Sequence, residues 1–557
     1  MAKAPIQVVW FKRDLRIHDH APLTNAAAAG PVLPLFAIEP DQWQAADSAL
    51  RHWQFAADSL VDLSNAVATL GLPLCIWQGD IVGLLKALKA YYGHIALHSH
   101  QETGNAWSFE RDKRVHAWCQ TNGITWQETR QQGVVRGLSS RTGHQTRWES
   151  HWESLMSAPT YLAPQSAQTA PGWEIFHHLD VEQLHTLTLG FDTTPCPQRQ
   201  RGGRSEGRAL WRSFVQARGR RYRGSLSKPL LAWEFGSRLS PHLAWGTLSM
   251  REVVQSLRRQ REKHSDDTAW SRSLRAFTSR LYWHCHFIQK LESEPSIENQ
   301  TLHPALRGLR ERDPNHPTLN AWKRGQTGVP LVDACMRSLI ATGWLNFRMR
   351  AMLISHATFG LGLHWREPAL HLARLFTDFE PGIHYPQVQM QAGATGTNAL
   401  RVYNPIKQAE DNDPTGEFVA RWVPELKRLP LEWRATPWAL PESLCQRFGF
   451  QPDEHYPLPN DFETEARHWK KMLYELRRTP EARESSRAIV DKLASQRRPN
   501  KRTNTRKPVN RKQLSLFDNE LFDNELFDNE LFSNDMLADN EATHGETAPL
   551  EGNKPSK

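Results

Sequence analysis

A chain of 557 residues is too long for a single hydrophobic core, so two or three domains are expected. Its 23% charged and 39% hydrophobic residues describe a soluble protein; with no signal peptide and no 18-residue apolar run, a membrane span is excluded and a cytoplasmic location expected. Six scattered cysteines without a CxxC pair exclude a disulfide framework, and a net charge of +9 favours a polyanionic partner.

Five short apolar runs open the chain: QVVWF (7–11), VLPLFAI (32–38), PLCIW (73–77), HIALHSH (94–100) and ITWQET (124–129). Amphipathic stretches such as SALRHWQFAADSLVDLSNAVATLG lie between them. Buried strands alternating with helices predict a doubly wound parallel α/β domain over residues 1–150. Ligands of such sheets sit beyond the carboxyl ends of the strands. No GxGxxG follows the first strand, so a dinucleotide is not expected there.

Residues 151–205 lose this pattern. TAPGWEIFHH and TTPCPQRQRGGRSEGR, rich in Pro, Gly and Arg, predict an interdomain linker. Over 206–490 the apolar residues recur at three and four spacing, as in SLRAFTSRLYWHCHFIQKLE, and predict an all-helical domain. TGWLNFRMRAML (342–353) reads as a helix whose one face carries Arg348 and Arg350 near Asn346 and Phe347, a site for something flat and anionic. The HCH at 284–286 has the residue types of metal ligands, but neighbours on a helix point about 100° apart, and no metal is expected.

Two groups of motifs carry a resemblance. VVWFKRDLRIHDHAPLTNAA (8–27) resembles the opening of the cryptochrome/DNA photolyase family. GSRLSPHLAWGTLS (236–249), AWKRGQTGVPLVDACMRSLIATGWLNFRMRAM (321–352) and ATGTNALRVYNP (394–405) match the order and spacing of that family's flavin-binding helical domain. The resemblance spans roughly residues 5–450. It implies an α/β antenna domain, a helical domain holding FAD in a U-shaped conformation, and chemistry driven by blue or near-UV light. It leaves room for a second, antenna chromophore whose identity the sequence does not give.

In this reading the cofactor residues are Tyr222, the run Gly236, Ser237, Arg238, Leu239 and Ser240 at a helix start facing the pyrophosphate, Arg350 beside the isoalloxazine ring, and the acidic pair Asp378 and Glu380. A guanidinium there stabilises a reduced, anionic flavin. The lesion-facing positions are Arg280, Trp283, Phe347, Arg348 and Gln391, through which the resemblance implies contact with DNA. Cyclobutane-dimer photolyases carry Glu, Asn, Met and Trp where this chain has Arg280, Phe347, Ala351 and Gln391. Photolyases of (6-4) lesions use His at the positions of Phe347 and Ala351. A flat apolar wall flanked by Arg280 and Arg348 suits a flipped base and its phosphates, yet offers none of those proton donors and acceptors. Two functions therefore stay open, light-driven DNA repair with an altered pocket and a cryptochrome photoreceptor.

The family's three-tryptophan electron relay is represented by Trp365 at its middle position. Its proximal position falls on Gln389 or Val388, and the position nearest flavin N5 on His384 or Tyr385.

The C-terminal 491–557 reads as a disordered tail. Residues 497–512 carry eight Lys/Arg and no acid, and 513–557 carry 11 Asp/Glu against two Lys. The pentad LFDNE occurs three times in succession from Leu516. QLSLF, with Gln513, Leu514, Leu516 and Phe517, resembles the motif by which bacterial DNA-processing proteins dock on the replication sliding clamp.

Overall fold

The computed structural model describes residues 4–138, 145–398, 400–458 and 461–493. Five strands, β1 (Ile6–Phe11), β2 (Val32–Ile38), β3 (Cys75–Gln78), β4 (Ile95–His100) and β5 (Trp126–Thr129), form one parallel sheet in the order β3-β2-β1-β4-β5. The two most central runs, IQVVWF and VLPLFAI, are buried at every position, as expected where helices cover both faces. β3 pairs with β2 only from Leu35 onward, one residue past Pro34, which has no N–H for a ladder. One face packs on the helix Leu50–Ala68 through Phe11, Phe36, Trp53 and Leu60. The other packs on Ile81–Tyr92 through Val8, Leu33, Leu84 and Leu88.

The segment after the sheet is ordered where it is described. It contains a helix, Gln145–Ser157, whose Trp148 and Trp152 are fully buried, with both rings against Tyr282. Further on the chain returns to the sheet, where Ala170 N–H donates to Val32 O and Trp53 Nε1 donates to Leu184 O. From Arg204 onward every element among the described residues is helical. The longest helix, Thr268–Ser293, is N-capped by Asp267 and packs along Pro381–Gln391, where Gly382 lies against the backbone of Ile288.

The stretch 342–353 is not one helix. The helix Pro330–Thr342 ends at Gly343, in a left-handed conformation (φ 69°), and a new one, Phe347–Ser355, starts after Asn346.

Two clamps join the α/β layer to the helices. In the loop after β1, Arg13 donates through Nε to Ala244 O (2.9 Å) and through Nη2 to Phe379 O (2.6 Å), while Arg16 donates to Gly246 O (2.8 Å). Gly246 has φ +62°, and a side chain there would run into the carbonyl of Arg13. At the start of Leu50–Ala68, Arg51 donates to Leu375 O (2.8 Å) and His52 Nε2 bonds Phe376 O (2.9 Å). These carbonyls close the helix Arg366–Leu375, so the second clamp fixes the turn that carries Asp378. Among the described residues no helix is long and apolar enough to cross a membrane.

Candidate functional site

Asp378 follows that turn and is 7% exposed. Arg350 reaches it from Phe347–Ser355. Its Nη2 donates to Asp378 Oδ2 (2.7 Å), its Nε to Leu345 O (2.7 Å), and its guanidinium lies 3.9 Å from the centre of the Phe376 ring. Asp378 Oδ1 is buried without a partner. Two residues earlier on the Arg350 strand of contacts, Arg348 turns elsewhere: its Nε donates to Ser227 Oγ (2.9 Å). Residues two apart on a helix do not share a face, so the expected single arginine face is corrected to two.

The short segment Tyr222–Ser227 gathers the rest. Arg280 hydrogen-bonds the buried Tyr222 hydroxyl, whose pKa is raised by burial and only partly brought back by that charge. Asn346 Nδ2 donates to Leu226 O and Ser227 O (both 3.0 Å). Trp283 lies one helical turn beyond Arg280, its ring against His286 and Phe287. Phe347, half-buried, begins the helix that Asn346 precedes. Arg280, Arg348 and Asn346 therefore meet through one six-residue segment, with Arg350 on the same helix as Arg348. The sequence named Asn346 only as a neighbour of the two arginines and gave it no role; an Asn before a helix is read first as a cap, and here its side chain leaves the helix to hold Tyr222–Ser227.

GSRLS differs from expectation. The helix starts at Ser240 but runs only to Ala244, and its cap residue Leu239 offers no side chain to it. Ser237 Oγ accepts a long bond from Leu239 N (3.4 Å), and Gly236 O accepts from Arg218. Arg238 has a positive φ of 59°, rare for a side-chain-bearing residue. That conformation commits its side chain to Gln200 Oε1 (3.0 Å) and to the faces of Trp233 and Trp344. The charge expected to face a pyrophosphate is thus held by the connector and two indoles.

Glu380 is not bonded to Arg350. It lies 3.8 Å from Arg13 Nη2, and burial, opposed by that arginine, pushes its pKa up to about 7. His384 and Tyr385 part company. His384 Nε2 bonds Ala369 O (2.9 Å); burial pushes its pKa down to about 4, with Arg350 and Asp378 among the charges acting on it. Tyr385 is fully buried and donates to Asp47 Oδ2 (2.8 Å), with Arg366 over its ring. Gln389 uses its whole amide: Oε1 accepts from Leu302 N (2.8 Å), and Nε2 donates to Ile297 O (2.8 Å) and Gln300 O (2.6 Å). Trp365 is anchored on the same segment through Nε1 to Thr301 Oγ1 (2.9 Å). Gln391 is buried, with Nε2 unpartnered. If the shortened relay still runs through Trp365, Trp365→Phe should slow light-driven reduction of bound oxidised flavin severalfold, read by transient absorption; an unchanged rate would show that electrons take another route, such as one through Tyr385.

The fit to a flavin rests on the orphaned atoms. Asp378 Oδ1 and Asn346 Oδ1 are buried acceptors, and Gln391 Nε2 a buried donor, all lacking protein partners. A buried polar atom without a partner costs about 1–3 kcal/mol. A ligand with an imide N–H, carbonyls and hydroxyls supplies what they lack.

In the α/β layer, Asp14, His20 and His100 cluster at the ends of β1 and β4, with His20 Nε2 2.9 Å and His100 Nδ1 2.7 Å from Asp14 Oδ2. Leu23 N–H donates to His20 Nδ1, which places that ring's proton on Nε2, toward Asp14. The cluster is hydrogen-bonded internally, and burial holds both histidines below their ordinary pKa. Residues Gln513, Leu514, Leu516 and Phe517 lie outside the described residues.

Residues 7–150 match the family model described as DNA photolyase, and residues 277–475 the model described as FAD binding domain of DNA photolyase; together they take in more than half the chain. A Cryptochrome DASH of Gloeobacter violaceus is 28% identical over 489 residues, 81% of this chain and 92% of that protein. A deoxyribodipyrimidine photo-lyase of Vibrio cholerae is 27% identical over 460 residues, 78% of this chain and 94% of that protein. The crystal structure of a bacterial class III photolyase from Agrobacterium tumefaciens superposes with a TM-score of 0.72 at 23% identity, covering 86% of this chain and 99% of that one, a likeness of fold.

Proposed function

The chain belongs to the cryptochrome/DNA photolyase family, and we propose that it is a light-activated FAD flavoprotein that acts on DNA, repairing pyrimidine lesions through an altered pocket. Bound FAD supplies one-electron chemistry driven by blue or near-UV light. Arg350 and Asp378 hold the flavin ring, with the guanidinium favouring its electron-rich form. The observation that supports this reading is the Tyr222–Ser227 segment, which contacts both Arg280 and Arg348, with Trp283 one helical turn from Arg280 and Phe347 next to Arg348 in the chain. The arginines suit phosphates, and the aromatic rings suit an extruded base. Relatives named deoxyribodipyrimidine photo-lyase support a lyase.

Each phosphate contact makes affinity fall more steeply as salt rises. We expect binding of a dimer-containing oligonucleotide to fall steeply with salt and the double variant Arg280→Ala, Arg348→Ala to lose about two units of the log–log slope. An unchanged slope would move DNA away from these two arginines.

A photoreceptor is the second reading. Phe347 and Arg280, the latter engaged with Tyr222, favour it, because neither presents the carboxylate or amide that bonds a dimer. Relatives named cryptochrome exist as well. The tail adds weight to repair. We propose that QLSLF docks on the bacterial sliding clamp, Gln513 by hydrogen bonds and Leu514, Leu516 and Phe517 in an apolar pocket, with later LF pairs as rebinding copies. Fluorescence anisotropy of a 505–535 peptide against the host's clamp should show saturable binding, lost with Leu516→Ala and Phe517→Ala together; no binding would remove the clamp as partner.

A further inference from the structure

Beside the connector lies a cavity of about 750 Å³, bounded by Gln198–Arg201, the helices Arg204–Gln216 and Pro229–Phe235, and Arg421. Tyr222, Arg280, Arg350 and Asp378 take no part in its wall. Five arginines line it against three glutamates. Most of these arginines are spent: Arg199 on Asp58 (2.6 Å), Arg218 on the carbonyls of Leu210 (3.0 Å) and Glu234 (3.2 Å), and Arg421 on Glu417 (2.9 Å).

Arg238 is not spent. It is 7% exposed, its Nε bonds a neutral amide oxygen of Gln200, and no carboxylate bonds it among the described residues. Burial, aided by the charges of Arg218 and Arg350 and opposed by that of Asp378, pushes its pKa down to about 9. Its guanidinium lies 3.5 Å from the centre of Trp233, a ring 38% exposed that lines the same cavity. Asp378 acts on it only at a distance; a desolvated cation with no directly bonded carboxylate is costly, and a bound anion offsets that cost. The aromatic face beside it suits a flat ring, and stacking on an indole that already carries a guanidinium is favourable.

We propose that this cavity is a binding site for a nucleoside monophosphate, its phosphate between Arg238 and Arg201 and its base on Trp233. The volume falls within the range of small-molecule sites, about 300–1,000 Å³. Glu206, Glu234 and Glu417 in the wall repel a long polyanion, which selects a short anionic ligand over a nucleic-acid strand.

The test is calorimetric titration of the full-length, flavin-loaded protein with guanosine monophosphate, which is not a fragment of FAD. Guanosine, inorganic phosphate and a single-stranded oligonucleotide are titrated alongside. Saturable binding of the monophosphate is expected, with guanosine and phosphate each weaker by at least about tenfold. Trp233→Ala, Arg201→Glu and Arg238→Gly should each weaken it by about tenfold or more. Glycine accepts the positive φ at 238, so that variant should fold, which its thermal melt checks. Absence of saturable binding, binding indifferent to all three substitutions, or tighter binding of the oligonucleotide than of the monophosphate overturns the proposal.

Discussion

Arg350→Ala should yield protein that has lost most of its flavin and melts at a distinctly lower temperature. The substitution removes the bond to Asp378 Oδ2, the bond to Leu345 O and the contact with Phe376. It leaves a carboxylate 7% exposed with neither oxygen compensated, because Oδ1 already lacks a partner. Breaking a fully buried pair from one side costs about 3–5 kcal/mol; with the Arg350 side chain 26% exposed the cost here lies below that, still a large part of a typical domain's stability. Arg350→Lys keeps a charge but not the fork that spans Asp378 and Leu345, so it should retain flavin only in part. Visible absorbance per chain and thermal melts of the three proteins measure both effects. A full flavin complement in Arg350→Ala would remove the pair from the cofactor site.

Acid should destabilise the protein between neutral pH and about pH 4, through histidines that burial keeps neutral. Burial pushes His52, His100, His242, His356 and His371 down to about 3, and His284, His364 and His384 to about 4. Unfolded histidines take up protons near pH 6.5, roughly, while these stay neutral in the fold. Between about pH 6.5 and 4 the unfolded chain therefore binds more protons, and stability falls as pH falls. Glu39, Glu298 and Glu380 act oppositely. Pushed up to about 7, they hold protons that the unfolded chain releases above about pH 4.5, and their contribution is lost as pH rises through 7. The histidines outnumber them, so the net loss from neutral to about pH 5 should be on the order of several kcal/mol. Melting temperatures across that interval check the sign. A melting temperature that rises on acidification would show that the glutamates dominate.

The strands were legible because QVVWF and VLPLFAI are continuous apolar runs, a pattern that few other structures need. Asp378 and Arg350 were legible only through their motifs, since nothing local announces a pair 28 residues apart. The clamps were not legible at all. Arg13 meets Ala244 across 231 residues and Arg51 meets Leu375 across 324, and a backbone carbonyl leaves no mark in sequence. Arg238 was read at the pyrophosphate because its neighbours in GSRLS suggested it; its bond to Gln200 and its contacts with Trp233 and Trp344 had no mark in the sequence. The choice between His384 and Tyr385 turned on a one-residue count. The helix Pro381–Gln391 turns His384 toward Ala369 and Tyr385 toward Asp47.

Repair itself is the direct test. The flavin-loaded protein, chemically reduced in the dark, is mixed with an oligonucleotide carrying a single pyrimidine dimer and illuminated with blue or near-UV light. Chromatography of the digested strand then counts dimers and restored monomers. Light-dependent restoration over many turnovers, absent in the dark and abolished by Arg350→Ala, is the predicted result. Full reduction of the flavin, tight binding of the strand and yet no restoration under light, for cyclobutane and (6-4) lesions alike, would contradict repair and leave the protein a photoreceptor.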